Sequence, residues 1–129
     1  HEYYHPQRAT GTLMCHHRHK AHADPFAHPG EEDITAHVDF TALAEAAHEA
    51  GADVLGYANQ AQFLVNCGIT DVLAQANVEK ALHYAPIAAQ AQKLLSPAEM
   101  GELFKVLAVG KAVKAPLLGF TRGDRSHTL

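Results

Sequence analysis

Four polar side chains stand at alternate positions in the stretch Asp33-Ile34-Thr35-Ala36-His37-Val38-Asp39-Phe40. On an extended backbone successive side chains point to opposite faces, so Asp33, Thr35, His37 and Asp39 share one face. Two carboxylates, a hydroxyl and an imidazole would then form a polar rim that can face a ligand or substrate. The same residues also have structural uses. Asp39 precedes a helical pattern and suits its N-cap, Asp33 and Thr35 can bond the local backbone, and His37 can be solvated.

The second group of reactive side chains is a histidine cluster. His16, His17, His19, His22 and His28 can supply nitrogen ligands to zinc or nickel. Structural zinc sites combine cysteine and histidine at tight, paired spacings. Cys15-His16-His17 with His19 lacks a second matched pair, so the spacing assigns no metal site and adventitious nickel binding is the expectation. Cys15 and Cys67 have histidines elsewhere in the chain, as any histidine-rich sequence would, and no Gly-x-Ser-x-Gly elbow frames a serine. No nucleophile is assigned. Neither Gly-x-Gly-x-x-Gly nor Gly-x-x-x-x-Gly-Lys-Ser/Thr occurs, so no phosphate or nucleotide cradle is assigned.

These residues need a scaffold, and 129 residues suffice for one modest domain. The chain is 47% hydrophobic and 19% charged, the balance of an ordinary soluble globular protein. Its formal net charge of −4 demands neither nucleic acid nor an anionic membrane as partner. No apolar run approaches the roughly 20 residues that span a bilayer. Two cysteines without a close pairing motif make a reduced, cytoplasmic protein the expectation, and no secretory signal is visible. Of eleven histidines eight precede Phe40, so that segment turns basic near the ordinary imidazole pKa of about 6.5. The first residue is His1 rather than Met, which suggests a processed product or a piece of something longer.

The elements follow from local signals. Residues 11–16 read as a strand, and 16–30 as a loop broken by Pro25, Pro29 and Gly30. From Phe40 the spacing of Phe40, Leu43, Ala44 and Ala47 predicts a helix stopped by Gly51. A short buried strand is expected over 53–58, giving one helix-to-strand step of a layered α/β sheet. Asn59 can cap a helix carrying Phe63 and Leu64 and ended by Gly68, and Thr70 can cap another. A longer helix is expected over 79–95, with a kink or break at Pro86, since a straight helix through it costs about 3 kcal/mol. Ser96-Pro97-Ala98-Glu99 has serine, proline and glutamate where a helix start wants them. The predicted helix buries Met100, Leu103, Phe104 and Leu107 and closes at Gly110. Residues 116–121 read as a last strand, followed by a polar tail.

Several stretches also resemble the MidA family of S-adenosylmethionine-dependent methyltransferases, which is related to the mitochondrial complex I assembly methyltransferase. They are Glu2-Tyr3-Tyr4-His5-Pro6-Gln7-Arg8 with Gly11-Thr12-Leu13, then 33–40, then Gln60-Ala61-Gln62-Phe63-Leu64 with Gly68-Ile69. Ser96 to Phe104 and Leu118-Gly119-Phe120 complete the ordered set. The resemblance implies an α/β fold, the C-terminal part of a class I (Rossmann-like) methyltransferase with few strands and a helical insertion. Residues 1–129 would form a single segment: 1–39 a strand plus the histidine-rich loop, 40–129 the helices and last two strands. Residues 53–58 would be the sixth strand and 116–121 the antiparallel seventh. The cofactor implied is S-adenosylmethionine, held by a missing N-terminal cofactor-binding part, and no cofactor ligand is carried over onto this chain. The parent enzyme would methylate an arginine nitrogen of a protein substrate, and the isolated segment would be inactive. An arginine nucleophile must lose a proton, which makes Asp33 and Asp39 the candidate catalytic residues. Arg8, Thr35, His37 and Gln60 are the candidate substrate-binding residues. The partners expected are the missing part and the protein substrate, with a homo-oligomer admitted. The rival expectation is a non-enzymatic, histidine-rich module that binds metal or a partner.

Overall fold

A computed structural model of the chain describes residues 11–75 and 81–129. It shows a mixed α/β chain that divides into two compact units, 1–43 and 44–129. Among the described residues no helix is long and apolar enough to cross a membrane.

The described part of the first unit is organised on a small antiparallel sheet of strands β1 (Met14–His17), β2 (Lys20–His22) and β3 (Asp33–Thr35), in the order β2-β1-β3. Cys15 lies on the central strand, opposite His22 on one side and Ile34 on the other. Directly opposed residues of an antiparallel pair project to the same face. Cys15, His22 and Ile34 therefore share one face, and His16, Ala21 and Asp33 share the other. Cys15 is fully buried, while Ile34 is exposed. Strand β2 corrects the loop expected over 16–30. Its hairpin turns through Arg18 and His19, both with positive φ (48° and 66°). Such turns ordinarily use Asn-Gly, and a non-glycine residue held there costs about 1–2 kcal/mol, so the sequence carries no turn signal.

Helix α1 (Phe40–Glu49) begins at Asp39 as expected and contains the boundary between the units. Asp39 Oδ1 accepts the Ala42 N–H at 3.0 Å. The helix ends on Gly51, φ +72°. The Gly51 and Ala52 N–H groups donate to the His48 and Ala47 carbonyls, both at 2.9 Å. That pairing closes the last turn and requires a left-handed residue, which favours glycine.

The second unit is built around β4 (Asp53–Asn59), the strand expected over 53–58. Asn59 ends it and caps α2 (Gln60–Asn66), its side chain accepting the Gln62 N–H at 2.9 Å. Gly68 (φ +90°) separates α2 from α3 (Ile69–Gln75). Helix α3 starts one residue before the expected cap Thr70, and the Gly68 carbonyl accepts its first N–H groups. Helix α4 (Ala81–Leu95) continues through Pro86 as one element, so the chain does not break there.

Two expectations fail in the last third. The predicted helix through Met100, Leu103, Phe104 and Leu107 is instead a short run of turns followed by β5 (Lys105–Gly110). Strand β5 pairs antiparallel with β4, from Asn59↔Lys105 to Asp53↔Gly110, with a register irregularity between Val54 and Gly56. The Ser96 carbonyl takes the Glu99 and Gly101 N–H groups, which closes a turn but does not propagate a helix. Leu103 and Phe104 are exposed rather than buried. The β-branched Val106 and Val109 suit the pleat and lie opposite Ala58 and Val54.

The strand expected over 116–121 is also absent. Leu118–Phe120 is a single 3-10 turn. That turn brings Phe120 against Phe63 (ring centroids 5.4 Å apart) and over Gly56, while Gly119 packs on the Phe63 ring. The antiparallel partner of β4 is therefore β5.

Candidate functional site

The expected polar rim is only partly regular. Strand β3 keeps Asp33 and Thr35 on one face, but it stops at Thr35. Beyond it the chain leaves the sheet, and His37 and Asp39 are placed by other contacts. Thr35 Oγ1 donates to the Met14 carbonyl at 3.1 Å, and the His37 N–H donates to Thr12 Oγ1 at 3.0 Å. One oxygen of Asp39 is taken by the cap. Asp33, Thr35 and His37 are exposed and Asp39 is half-buried. Gln60 lies in the second unit, where its Nε2 donates to the Leu94 carbonyl at 3.0 Å and its backbone N–H to the Phe104 carbonyl at 2.9 Å. Its side chain is thus used in holding the start of α2 to the end of α4. Arg8 lies outside the described residues.

The buried face of the small sheet holds a constellation that sequence spacing did not reveal. The ligand atoms of Cys15, His22 and Glu32 all lie within 4.8 Å of one another. Cys15 and His22 are brought together by cross-strand pairing, and Glu32 arrives from the residue before β3. Glu32 Oε2 lies 3.1 Å from His22 Nε2. Both atoms are buried, and their 3.1 Å contact is an ion-pair approach without good hydrogen-bond alignment. Glu32 Oε1 accepts the His28 backbone N–H, which fixes the carboxylate. Burial, followed by the negative charge of Glu32 and the hydrogen bond to its carboxylate, pushes the Cys15 thiol above its ordinary pKa. The sequence signal for Glu32 was only a local acidic run.

The second unit has its own polar network. Glu102 accepts from Arg125 Nη1 at 2.8 Å and from the Asn59 side-chain amide, with Lys105 Nζ 3.8 Å away. Burial pushes its carboxyl up, but the hydrogen bonds from Arg125 and Asn59 and the two nearby cations outweigh this and hold it below its ordinary value. Asp124 accepts the Tyr57 N–H at 2.9 Å and both the N–H and hydroxyl of Ser126 at 3.0 Å. Burial again opposes ionisation, and these bonds with His127 overcome it, so its carboxyl is also depressed. The Arg125 N–H returns to the Tyr57 carbonyl at 2.7 Å. The polar tail is therefore clasped onto β4, and both carboxylates are engaged in holding the unit together.

The glycines of β4, β5 and the 3-10 turn allow close packing within the second unit. A Cβ at Gly56 would meet Phe120, one at Gly119 would meet Phe63, and one at Gly110 would meet Leu55. Those close approaches are filled by the chain's own side chains.

Known proteins give the class. A family model for putative S-adenosyl-L-methionine-dependent methyltransferases matches residues 1–58. The mitochondrial protein arginine methyltransferase NDUFAF7 of Xenopus tropicalis is 33% identical over 132 residues, which cover 94% of this chain and 29% of that protein. Its Drosophila melanogaster homolog is 32% identical over 133 residues, covering 93% and 29%. A crystal structure from Burkholderia thailandensis, described as a methyl transferase candidate bound to S-adenosyl-homocysteine, superposes with a TM-score of 0.94 and 62% identity. It is matched over 100% of this chain and 33% of its own. A native crystal structure of an uncharacterised protein from the same organism also gives 0.94 and 62%, covering 100% and 34%.

The fold is therefore that of part of an S-adenosylmethionine-dependent methyltransferase. The chain is similar to such enzymes, over residues 1–58 for the family model, and it spans about a third of the length of these relatives.

Proposed function

We propose that the chain is the C-terminal portion of a methyltransferase that uses S-adenosylmethionine and methylates an arginine nitrogen on a protein. The observation that carries this is the whole-chain match, at 62% identity and a TM-score of 0.94, to a structure described as holding S-adenosyl-homocysteine. The arginine acceptor is supported by the names of the two curated relatives. The cofactor belongs to the part of the parent outside this chain. The thin core supports the same reading. Among the described residues only Cys15, Ala58 and Ala91 are buried apolar residues, while Leu103, Val109 and Leu118 of the second unit are exposed. A two-stranded sheet is marginal without further cover.

The role proposed for 33–39 is to orient the acceptor. An arginine side chain is a cation until it gives up a proton, so carboxylates on its path align it and favour its approach. Asp33 has the clearest opportunity, because it is exposed beside Thr35 on β3. Asp39 lies at the helix cap, and His37 and Thr35 border the same stretch.

The test is methyl transfer by the full-length parent to protein acceptors, with labelled cofactor and analysis of the modified amino acid. Asp33→Asn and Asp39→Asn should lower kcat/KM for the acceptor by about 10²–10⁴-fold, with stability and cofactor affinity unchanged. Asparagine caps a helix about as well as aspartate, so a merely structural Asp39 leaves activity intact. Near-normal turnover in both variants would remove the stretch from the mechanism, and label on a residue other than arginine would overturn the acceptor.

A further inference from the structure

The cluster of Cys15, His22 and Glu32 is not used by the reading above, and it has the composition of a metal centre. We propose that these three side chains bind a single divalent metal ion of zinc's class, in a site completed by a fourth ligand from solvent or from a neighbouring imidazole. Three observations point to it. The ligand atoms of the three residues lie within 4.8 Å of one another, close enough for a modest side-chain adjustment to gather them on one ion. The Glu32 side chain is only 2% exposed, and its Oε2 lies 3.1 Å from His22 Nε2, two buried atoms in an ion-pair contact without good hydrogen-bond alignment, while the Cys15 thiol hydrogen-bonds the same carboxylate. All three donor groups therefore turn toward one another at a buried spot, where a cation would satisfy them together better than the misaligned contact does. Finally, the supporting contacts are those a ligand set needs. The His28 N–H holds the other Glu32 oxygen, and the sheet fixes Cys15 directly opposite His22.

The donor set selects the ion. One thiolate, one imidazole and one carboxylate suit a borderline cation such as zinc, and magnesium or calcium would prefer an all-oxygen set. Three protein ligands leave one tetrahedral position. The route to it is on the His22 side, which is 28% exposed. The His28 ring stands edge-on to His22 with centroids 6.1 Å apart, and His17 stacks on His28 at 4.3 Å. Binding converts the Cys15 thiol to a thiolate, and its proton is released to solvent.

Eleven histidines give this chain weak metal binding of no interest, so the test reads the thiolate and not the affinity alone. The full chain, stripped with chelator, is titrated with cobalt(II) and then zinc(II) in competition with a coloured chelator. The expected result is one equivalent of tight binding with a near-ultraviolet cobalt–thiolate charge-transfer band that zinc abolishes. Cys15→Ser should remove the band. His22→Gln and Glu32→Gln should weaken binding by more than the roughly 10–100-fold typical of losing an outer-shell contact. Cys67→Ser and the paired His16→Gln, His19→Gln change should leave both band and stoichiometry intact, since Cys67, His16 and His19 are exposed. If Cys15→Ser fails to fold, His22→Gln carries the same test from a half-exposed position. The proposal is overturned if no thiolate band forms, if it depends on Cys67, or if His22→Gln and Glu32→Gln bind like the unchanged chain.

Discussion

Gly101→Ala separates two accounts of the last third of the chain by the sign of its effect. If residues 97–107 were the helix that their cap signal predicts, Gly101 would be an interior helix position. Alanine there would stabilise by about 1 kcal/mol. In the structure Gly101 is buried in a turn, with its N–H on the Ser96 carbonyl at 2.9 Å and its own carbonyl accepting the Ala61 N–H at 3.0 Å. A Cβ there would lie 2.2 Å from the Leu95 carbonyl oxygen, 2.5 Å from the Leu95 carbonyl carbon and 3.0 Å from the Ser96 oxygen. These are backbone atoms at the end of α4, so no rotamer change relieves the clash. Overpacking of this kind costs about 1–3 kcal/mol, and each hydrogen bond lost as the turn moves adds about 1 kcal/mol. The net expectation is a loss of about 2–4 kcal/mol. Urea unfolding followed by far-ultraviolet circular dichroism measures it, with Gly11→Ala as control because nothing lies within 4 Å of that Cβ. A Gly101→Ala variant with an unchanged or raised midpoint at constant slope would refute the turn.

Three further outcomes follow from the described contacts. Glu102 and Asp124 have folded-state pKa values below their ordinary 4.5 and 3.8, so their stabilisation is present above those values and is lost as pH falls through the depressed ones. The urea midpoint should drop on acidification, and Glu102→Gln should flatten part of that drop; an equally steep profile in the variant counts against the Arg125 and Asn59 contacts. Cys15 has the opposite sign: its folded pKa is raised above 9.0, so the unfolded chain ionises first and stability falls as pH rises past 9.0. With chelator present, Cys15→Ala should show less alkaline loss than the parent sequence. Calorimetry of the chain alone should detect no stoichiometric S-adenosylmethionine binding at micromolar affinity, and tight binding would contradict the placement of the cofactor outside it.

Local chemistry was legible where a single residue decides an element's edge. Asp39, Gly51, Asn59 and Gly68 each act through their own backbone or side chain, and the helices start or stop where these residues stand. The errors fall where a distant partner decides. Ser96-Pro97-Ala98-Glu99 gives a sound first turn, but 105–110 becomes a strand because β4 lies ready to pair with it. Residues 116–121 alternate like a strand, yet a 3-10 turn is what brings Phe120 over Gly56 and onto Phe63. The polar tail reads as solvated until Asp124 and Arg125 are seen to take both backbone groups of Tyr57. The resemblance to a known family, by contrast, rests on ordered motifs along the chain, which local physics does not need to explain.

The candidate sites divide in the same way. Asp33, Thr35, His37 and Asp39 attract notice because they are close in sequence, and the structure then gives each of them a partly separate setting. Cys15, His22 and Glu32 attract none, because seven and ten residues separate them in turn and their spacing matches no zinc pattern. What joins them is register. Pairing Cys15 with His22 sets one side of the buried face, and pairing His16 with Asp33 leaves Glu32 as the next residue along the incoming chain. A slip of one residue in either pair would turn Cys15 away from its partner and disperse the cluster. The hairpin through Arg18 and His19 fixes the first register despite its unfavourable backbone, so Arg18-His19→Asn-Gly should keep that register while removing the left-handed strain. Stability should then rise by about 1–2 kcal/mol, with the cobalt–thiolate band unchanged. A variant that gains stability but loses the band would show that the pairing, and with it the cluster, depends on those two side chains.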